Sequence, residues 1–175
     1  KVDKNIGYGN GILQGLKESK GKYIGWTHAD LQTKPQDIIR ALNIIEENNI
    51  NDKIFVKGNR KGRPFVDNLF TLGMSIFESL FFGKLLWDIN AQPNIFSREL
   101  FEHWKNPPFD FSLDLFALYE AKKNNYKVIR FPVLFPKRIH GQSHWNTGLK
   151  SKIKFIKRTL DFSFKLKTEK NKCNT

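Results

Sequence analysis

Residues 21–38, "GKYIGWTHADLQTKPQDI", decide how this chain folds. Tyr23, Ile24, Gly25 and Trp26 form a short apolar run with polar neighbours, the pattern of a buried strand. The run stops at Thr27 and passes into His28, Asp30 and Gln32, three polar side chains two apart. Thr33 to Gln36 then spells a capping box, and Pro35 suits a first helical turn. A helix is therefore expected through about Asn48, with Ile38, Leu42 and Ile45 on one face. Two readings of the polar stretch stay open. It is a turn into a helix, or, because residues two apart on a strand point to one side, it aims an imidazole, a carboxylate and an amide at one point. The oxygen ligands suit Mg²⁺ or Mn²⁺, and imidazole is acceptable to Mn²⁺.

Working outward, Ile12, Leu13 and Leu16 place a helix over 11–20, which Gly21 ends. Downstream, 54–57 reads as a second strand and 65–85 as a long helix. That helix is the most apolar segment, but Asp67, Asn68, Glu78 and Lys84 interrupt it, so it is expected to be a core helix and not a membrane span. "NAQPNIFS" (90–97) is extended because Pro93 biases Gln92 away from helix, and Ser97 can cap a short helix over 98–104. A helix over 112–124 faces Leu113, Phe116, Ala117 and Ala121 inward, and a strand covers 127–133. After a polar loop, "KRIHGQSHWNTG" (137–148), a helix over 149–166 carries Leu149, Ile153, Ile156, Leu160 and Phe164 on one stripe. Strands alternating with helices predict an α/β layered fold.

The 175 residues suffice for one domain with a substantial core. The one cysteine, Cys173, excludes a disulfide within the chain and a cysteine metal site, and a reducing cytoplasmic setting is expected. No leader is visible in the opening residues. The net charge is +13, and residues 137–175 hold eleven Lys and Arg against two acids, Asp161 and Glu169. Such an end attracts anionic partners. Nucleic acid is the weaker candidate, because aromatics do not interleave with the basic run and no nucleic-acid motif is present. The closing helix, with Lys150, Lys152, Lys154, Lys157 and Arg158 around its stripe, suits either a peripheral position on an anionic membrane surface or packing with a solvated basic face.

The opening stretch resembles the central motif of family-2 glycosyltransferases of GT-A fold, closest to the dolichyl-phosphate mannosyltransferase-like branch and its bacterial relatives, where a strand ends in Asp-x-Asp-x-Gln before a proline and a helix. The likeness continues in order along nearly the whole chain. "NIGYGNGILQGLKESKGKYI" resembles the family's Asn-x-Gly, helix and turn, and "VKGNRKGRP" its Gly-x-Arg segment. "WDINAQPNIFSRELF" is similar to an Asp followed by a Phe-x-x-Arg-like stretch. "FSLDLFALYEAKKNNYKVIRFPVLFPKRIHGQS" resembles its acidic helix, strand and Arg-x-x-Gly-x-Ser loop. The family's preceding strand, helix and strand, which form the nucleotide pocket, have no counterpart here. The expected architecture is thus a partial GT-A mixed sheet flanked by helices over 1–148, with a basic amphipathic helix and tail over 149–175.

The resemblance implies sugar transfer from a nucleotide-sugar donor to a lipid-phosphate or saccharide acceptor, with Mn²⁺ or Mg²⁺ on the diphosphate as Lewis acid. By motif position Asp30 and Gln32 would be metal ligands, with His28 standing where the family has its first aspartate. Asp114 would be the acceptor-side base, or an orienting group if the acceptor is an ionised phosphate; Asp110 is a nearby competitor. Asp88 and Gln92 would line the acceptor side or hold their turn. Arg60, Arg138 and Ser143 would handle phosphate, since arginine forks match its oxygens. His144 replaces a lysine after that serine, and His140 and His144 also read as ordinary loop residues. Two other readings are a noncatalytic module binding polyanions through the basic tail, and an inactive homologue, to which the His28 substitution points.

Overall fold

The structure is a computed structural model that describes residues 6–30, 32–48, 53–136 and 149–173. Its order is α1 (Tyr8–Glu18), β1 (Tyr23–Trp26), α2 (Gln36–Glu47), β2 (Ile54–Lys61), α3 (Phe65–Phe82), β3 (Asn94–Ser97), α4 (Arg98–Glu102), α5 (Leu113–Lys123), β4 (Lys127–Leu134) and α6 (Leu149–Cys173). The expected elements are present, with β2 running four residues past Lys57 and α6 well past Leu166.

The four strands form one mixed sheet in the order β1-β3-β2-β4. β3 is antiparallel to both β1 and β2, and β4 is parallel to β2. So β1, β2 and β4 run one way, and their C-terminal ends share an edge with the start of β3. Ligands of open α/β sheets bind at that edge.

Strand alternation divides the core. Phe55 and Phe96, register partners stacked at 5.2 Å, face one side with Leu13, Leu16, Trp104 and the apolar face of α5. Ile54, Val56, Ile95, Phe131 and Val133 face the other, where Ala41 and Ile45 of α2 cover them. The sheet is therefore sandwiched between helices. The mouth of β3 is squeezed on both sides. A Cβ on Gly25 would lie 2.0 Å from the Asn94 carbonyl oxygen, and one on Gly58 would lie 2.2 Å from that of Gln92. The apolar run of β1 contains a glycine because the neighbouring backbone occupies the side-chain position.

Four local expectations need correction. Thr33 does not cap α2: its hydroxyl pairs with Thr27 Oγ1 at 2.9 Å, and Pro35 is the N-cap residue without a side-chain bond. Ser97 is the N-cap of α4, but its hydroxyl meets the Tyr126 hydroxyl at 3.0 Å instead of the helix. The larger correction concerns α3, which is not a core helix. Only Ser75 and Glu78 are buried, while Phe65 is 80% and Leu80 79% exposed. It is long and apolar enough to cross a membrane by composition. α6 packs against its polar side through Ser163, whose hydroxyl lies 2.9 Å from both Glu78 oxygens. The buried face of α6 runs through Thr159, Ser163 and Leu166, so Ile153 and Phe164 of the expected stripe stay exposed.

Candidate active site

Three segments meet at the ligand edge of the sheet. The first is the turn after β1. Because β1 ends at Trp26, His28, Asp30 and Gln32 sit beyond the strand and do not alternate as strand residues. Asp30 Oδ1 accepts the Gln32 backbone N–H at 3.1 Å, closing a tight Asx-type turn. The Gln32 amide donates to the Pro136 carbonyl at 3.3 Å. The His28 ring lies 5.3 Å from that of Phe135.

The second segment is the end of β2. Arg60 Nε donates to Asp88 Oδ1 at 2.9 Å, its terminal nitrogen adds a second bond to the same oxygen, and its backbone N–H donates to Oδ2 at 3.0 Å. Burial pushes the Asp88 carboxyl up, but the charge and bonds of Arg60 outweigh it and hold the group below the usual carboxylate range. Asp88 has a positive φ of 38°. Its backbone N–H donates to Ser75 Oγ at 3.1 Å, and its carbonyl accepts from Ala91 at 3.0 Å. Asp88 therefore holds its turn and fixes Arg60, and as a committed ion-pair partner it is not placed to act as a base. Arg63 donates to Thr71 Oγ1 at 2.7 Å.

The third segment is the end of β4. The Phe135 ring lies 5.5 Å from the Arg60 guanidinium and 6.0 Å from that of Arg63. This one ring joins the His28 turn to the arginine pair. Arg138 and Ser143, with His140 and His144, lie outside the described residues.

Beside the arginines opens a cleft of about 420 Å³. Asn59, Arg60, Arg63 and Asp88 line it together with Trp87 and, from α3, Phe65, Asn68, Leu69, Thr71 and Leu72.

Behind the edge lies a buried polar chain. Asp114, 2% exposed in the first turn of α5, accepts from the Tyr8 hydroxyl at 3.0 Å and from Asn94 Nδ2 at 3.0 Å. Gln92 donates to the Tyr8 oxygen. Lys57, fully buried, donates to Asn94 Oδ1 at 2.6 Å and to the Ala91 carbonyl at 2.7 Å. Burial raises the Asp114 carboxyl and lowers the Lys57 amine, and each charge pulls the other part of the way back. Burial, then the Asp114 charge, raises the Tyr8 hydroxyl. Tyr8 stacks on Phe111 at 4.3 Å. Asp114 thus bonds Tyr8 and Asn94, a positioning arrangement behind the edge. Asp110 accepts the Ser112 N–H at 2.8 Å and faces Arg158 at 3.7 Å, so it starts α5 and anchors α6.

The profile of glycosyl transferase family 2 matches residues 1–97, the part of the chain that holds the His28–Gln32 turn, Arg60 and Asp88. The chain belongs to this family. A search of curated proteins finds no match. Membership makes the reaction class sugar transfer, from a nucleotide-sugar donor to an acceptor. Family 2 accounts for the architecture too: a mixed sheet between helices.

Whether this family-2 turn suits a divalent metal is a question of donors. Among the described residues no three His, Cys, Asp or Glu side chains converge. The turn offers one carboxylate, Asp30, with the Gln32 amide and the His28 imidazole beside it. That fits a hard dication completing its shell with diphosphate oxygens and water, the usual habit of Mg²⁺, and not a closed protein cage. Residues missed in the sequence are Arg63, Lys57 and Tyr8. Arg63 stood three positions from Arg60 in "RKGR". Lys57 was legible as a lysine ending the apolar run Ile54-Phe55-Val56, where burial demands partners. Nothing in the sequence marked Tyr8.

Proposed function

We infer that the chain transfers a sugar from a nucleoside-diphosphate donor to a lipid phosphate, working peripherally at a cytoplasmic membrane face. The cleft carries this reading. Its lining offers Arg60, aligned by Asp88, and Arg63, two guanidinium forks suited to a phosphate. The same lining includes Phe65, Leu69 and Leu72, which continue onto the exposed face of α3. A saccharide acceptor would leave Leu69 and Leu72 unused, whereas a phosphate with an isoprenoid or acyl tail uses both the arginines and these apolar residues.

In this reading a phosphate oxygen of the acceptor attacks the anomeric carbon. The bond from that carbon to the donor diphosphate breaks, and the electron pair leaves on the nucleoside diphosphate. A phosphate monoester is largely ionised near neutrality, with a second pKa of about 6, so no protein base is required. That agrees with Asp114 lying behind Tyr8 and Asp88 being bound to Arg60. Asp30, with Gln32 and His28, would hold Mn²⁺ or Mg²⁺, which supplies charge stabilisation to the leaving diphosphate. Asp114 sets the Tyr8 hydroxyl and Asn94, and through Gln92 the floor of the site.

The test is transfer of label from nucleoside-diphosphate hexoses to a short-chain polyprenyl phosphate, read by solvent extraction. Labelled lipid is expected, and it should fall when Arg60 and Arg63 are replaced. Transfer to free saccharides with none to the lipid phosphate would overturn the acceptor, and no turnover with any donor would favour an inactive homologue.

A further inference from the structure

Helix α3 is built with its polar side inward. Ser75 and Glu78 face the protein, where they meet the Asp88 N–H and the Ser163 hydroxyl. Phe65, Val66, Leu69, Leu72, Ile76 and Leu80 face outward and are exposed. A contiguous apolar face of this kind marks an interaction surface. Eighteen residues make it about 27 Å long at 1.5 Å per residue.

The charges around it select the partner. Lys61 and Arg63 precede the helix and Lys84 follows it, so both ends of the apolar row carry cations. On α6, Lys167 lies over the Phe81 ring at 4.2 Å. Residues 149–173 of that helix hold nine Lys and Arg against two acids. A second copy of the chain, also at +13, would bring like charges to the seam. A spanning pose would draw α6, clasped to α3 through Ser163 and Glu78, toward the hydrocarbon with its lysines, which is costly. Lying flat keeps Lys61, Arg63 and Lys84, at the two ends of the apolar row, at headgroup level.

We propose that α3 docks the protein on an anionic phospholipid bilayer, with its outer face buried in the headgroup–acyl boundary and its axis parallel to the surface. Phe65, Leu69 and Leu72 belong both to this face and to the cleft wall, so docking brings the cleft mouth to the depth of a lipid phosphate. The inference rests on the lipid-acceptor reading for what docking accomplishes, and on α3 itself for its evidence.

The experiment is co-sedimentation of the whole protein with vesicles of phosphatidylcholine alone or mixed with phosphatidylglycerol, with no donor or acceptor present. Binding is expected to the mixed vesicles and to weaken with salt. The double variant Ile76→Ser/Leu80→Ser, outside the cleft, should bind about tenfold more weakly with unchanged circular dichroism and thermal midpoint. Lys84→Glu should steepen the loss without touching the apolar face. Undiminished binding of the double variant overturns the proposal, and so does a lipid-free dimer that the variant dissolves while the wild type ignores vesicles. Vesicle binding without glycosylation of polyprenyl phosphate supports docking and overturns only the acceptor reading. Glycosylation of a detergent-dispersed acceptor by protein that never binds vesicles does the reverse.

Discussion

Asp88 grips Arg60 by both backbone and side chain: one carboxylate oxygen takes the guanidinium, the other the backbone N–H at 3.0 Å. Both side chains are nearly buried, at 10% and 5% exposure, so removing the carboxylate strands a charge away from water. Asp88→Asn is expected to cost about 3 kcal/mol in a denaturant titration. The pH dependence follows from the depressed carboxyl. Its stabilisation is present above the unfolded-chain value of 3.8 and is lost as pH falls through the lower folded value. Wild type should therefore lose this share of stability only in acid, whereas the variant lacks it at neutral pH. Equal acid sensitivity of the two proteins would contradict the pairing.

Arg63 offers a contrast, because its bonds are fewer. It donates to Thr71, whose hydroxyl also bonds the Asp67 carbonyl, and its guanidinium lies near Phe135. Arg63→Ala should lower stability by only about 1 kcal/mol. The acceptor KM should rise about tenfold for a lipid phosphate, with kcat changed less. Arg63→Lys keeps charge but loses the fork, so it should recover only part of the loss. A KM that stays at the wild-type value in Arg63→Ala would remove Arg63 from the acceptor site.

These two arginines show what the sequence made legible. Arg60 is singled out because it lies in a motif. The strand that aims it follows from an apolar run, and Pro93 marks 90–97 as extended, but the antiparallel pairing of β3 that brings Asp88 to the same edge is set by the fold. Arg63 and Tyr8 were not found, since their importance comes from what folding places beside them: Thr71 and Phe135 for one, Asp114 and Gln92 for the other. The error over α3 has a different cause. Apolar content says that a helix avoids water but not which side it turns to the protein, and here the inward residues are Ser75 and Glu78. The same ambiguity left Ile153 and Phe164 of α6 exposed. The capping box at Thr33 does not form because α2 begins at Gln36 with Pro35 at the cap position, and the Thr33 hydroxyl pairs with Thr27 instead.

Asp30 is exposed, and it accepts the turn bond from the Gln32 N–H at 3.1 Å, which an asparagine can also accept. Asp30→Asn should thus leave stability within about 0.5 kcal/mol of wild type. If the carboxylate holds a dication together with donor diphosphate, the variant should bind Mn²⁺ about tenfold more weakly when nucleoside diphosphate is present. The free-Mn²⁺ electron paramagnetic resonance signal reads this directly, without turnover. Equal Mn²⁺ uptake by variant and wild type would exclude Asp30 as a ligand.

Glu78 gives the clearest pH prediction. It is fully buried, and burial pushes its carboxyl up to about 7 from 4.5, with Ser163 drawing it part of the way down. The hydroxyl of Ser163 lies 2.9 Å from both Glu78 oxygens and 2.9 Å from the Thr159 carbonyl, yet has one hydrogen. A neutral Glu78 satisfies all three groups: its O–H donates to Ser163, which donates to Thr159. An ionised Glu78 leaves one acceptor short. Below 4.5 both folded and unfolded chains hold the proton, and there is no penalty. Between 4.5 and about 7 only the folded chain keeps it, so stability falls as pH rises; above about 7 the full penalty stands. Glu78→Gln removes the titration. It should match wild type near pH 5 and exceed it by about 2 kcal/mol near pH 8 in urea denaturation. Parallel pH profiles for the two proteins would show that Glu78 is ionised in the folded state and that the α3–α6 clasp is held by other contacts.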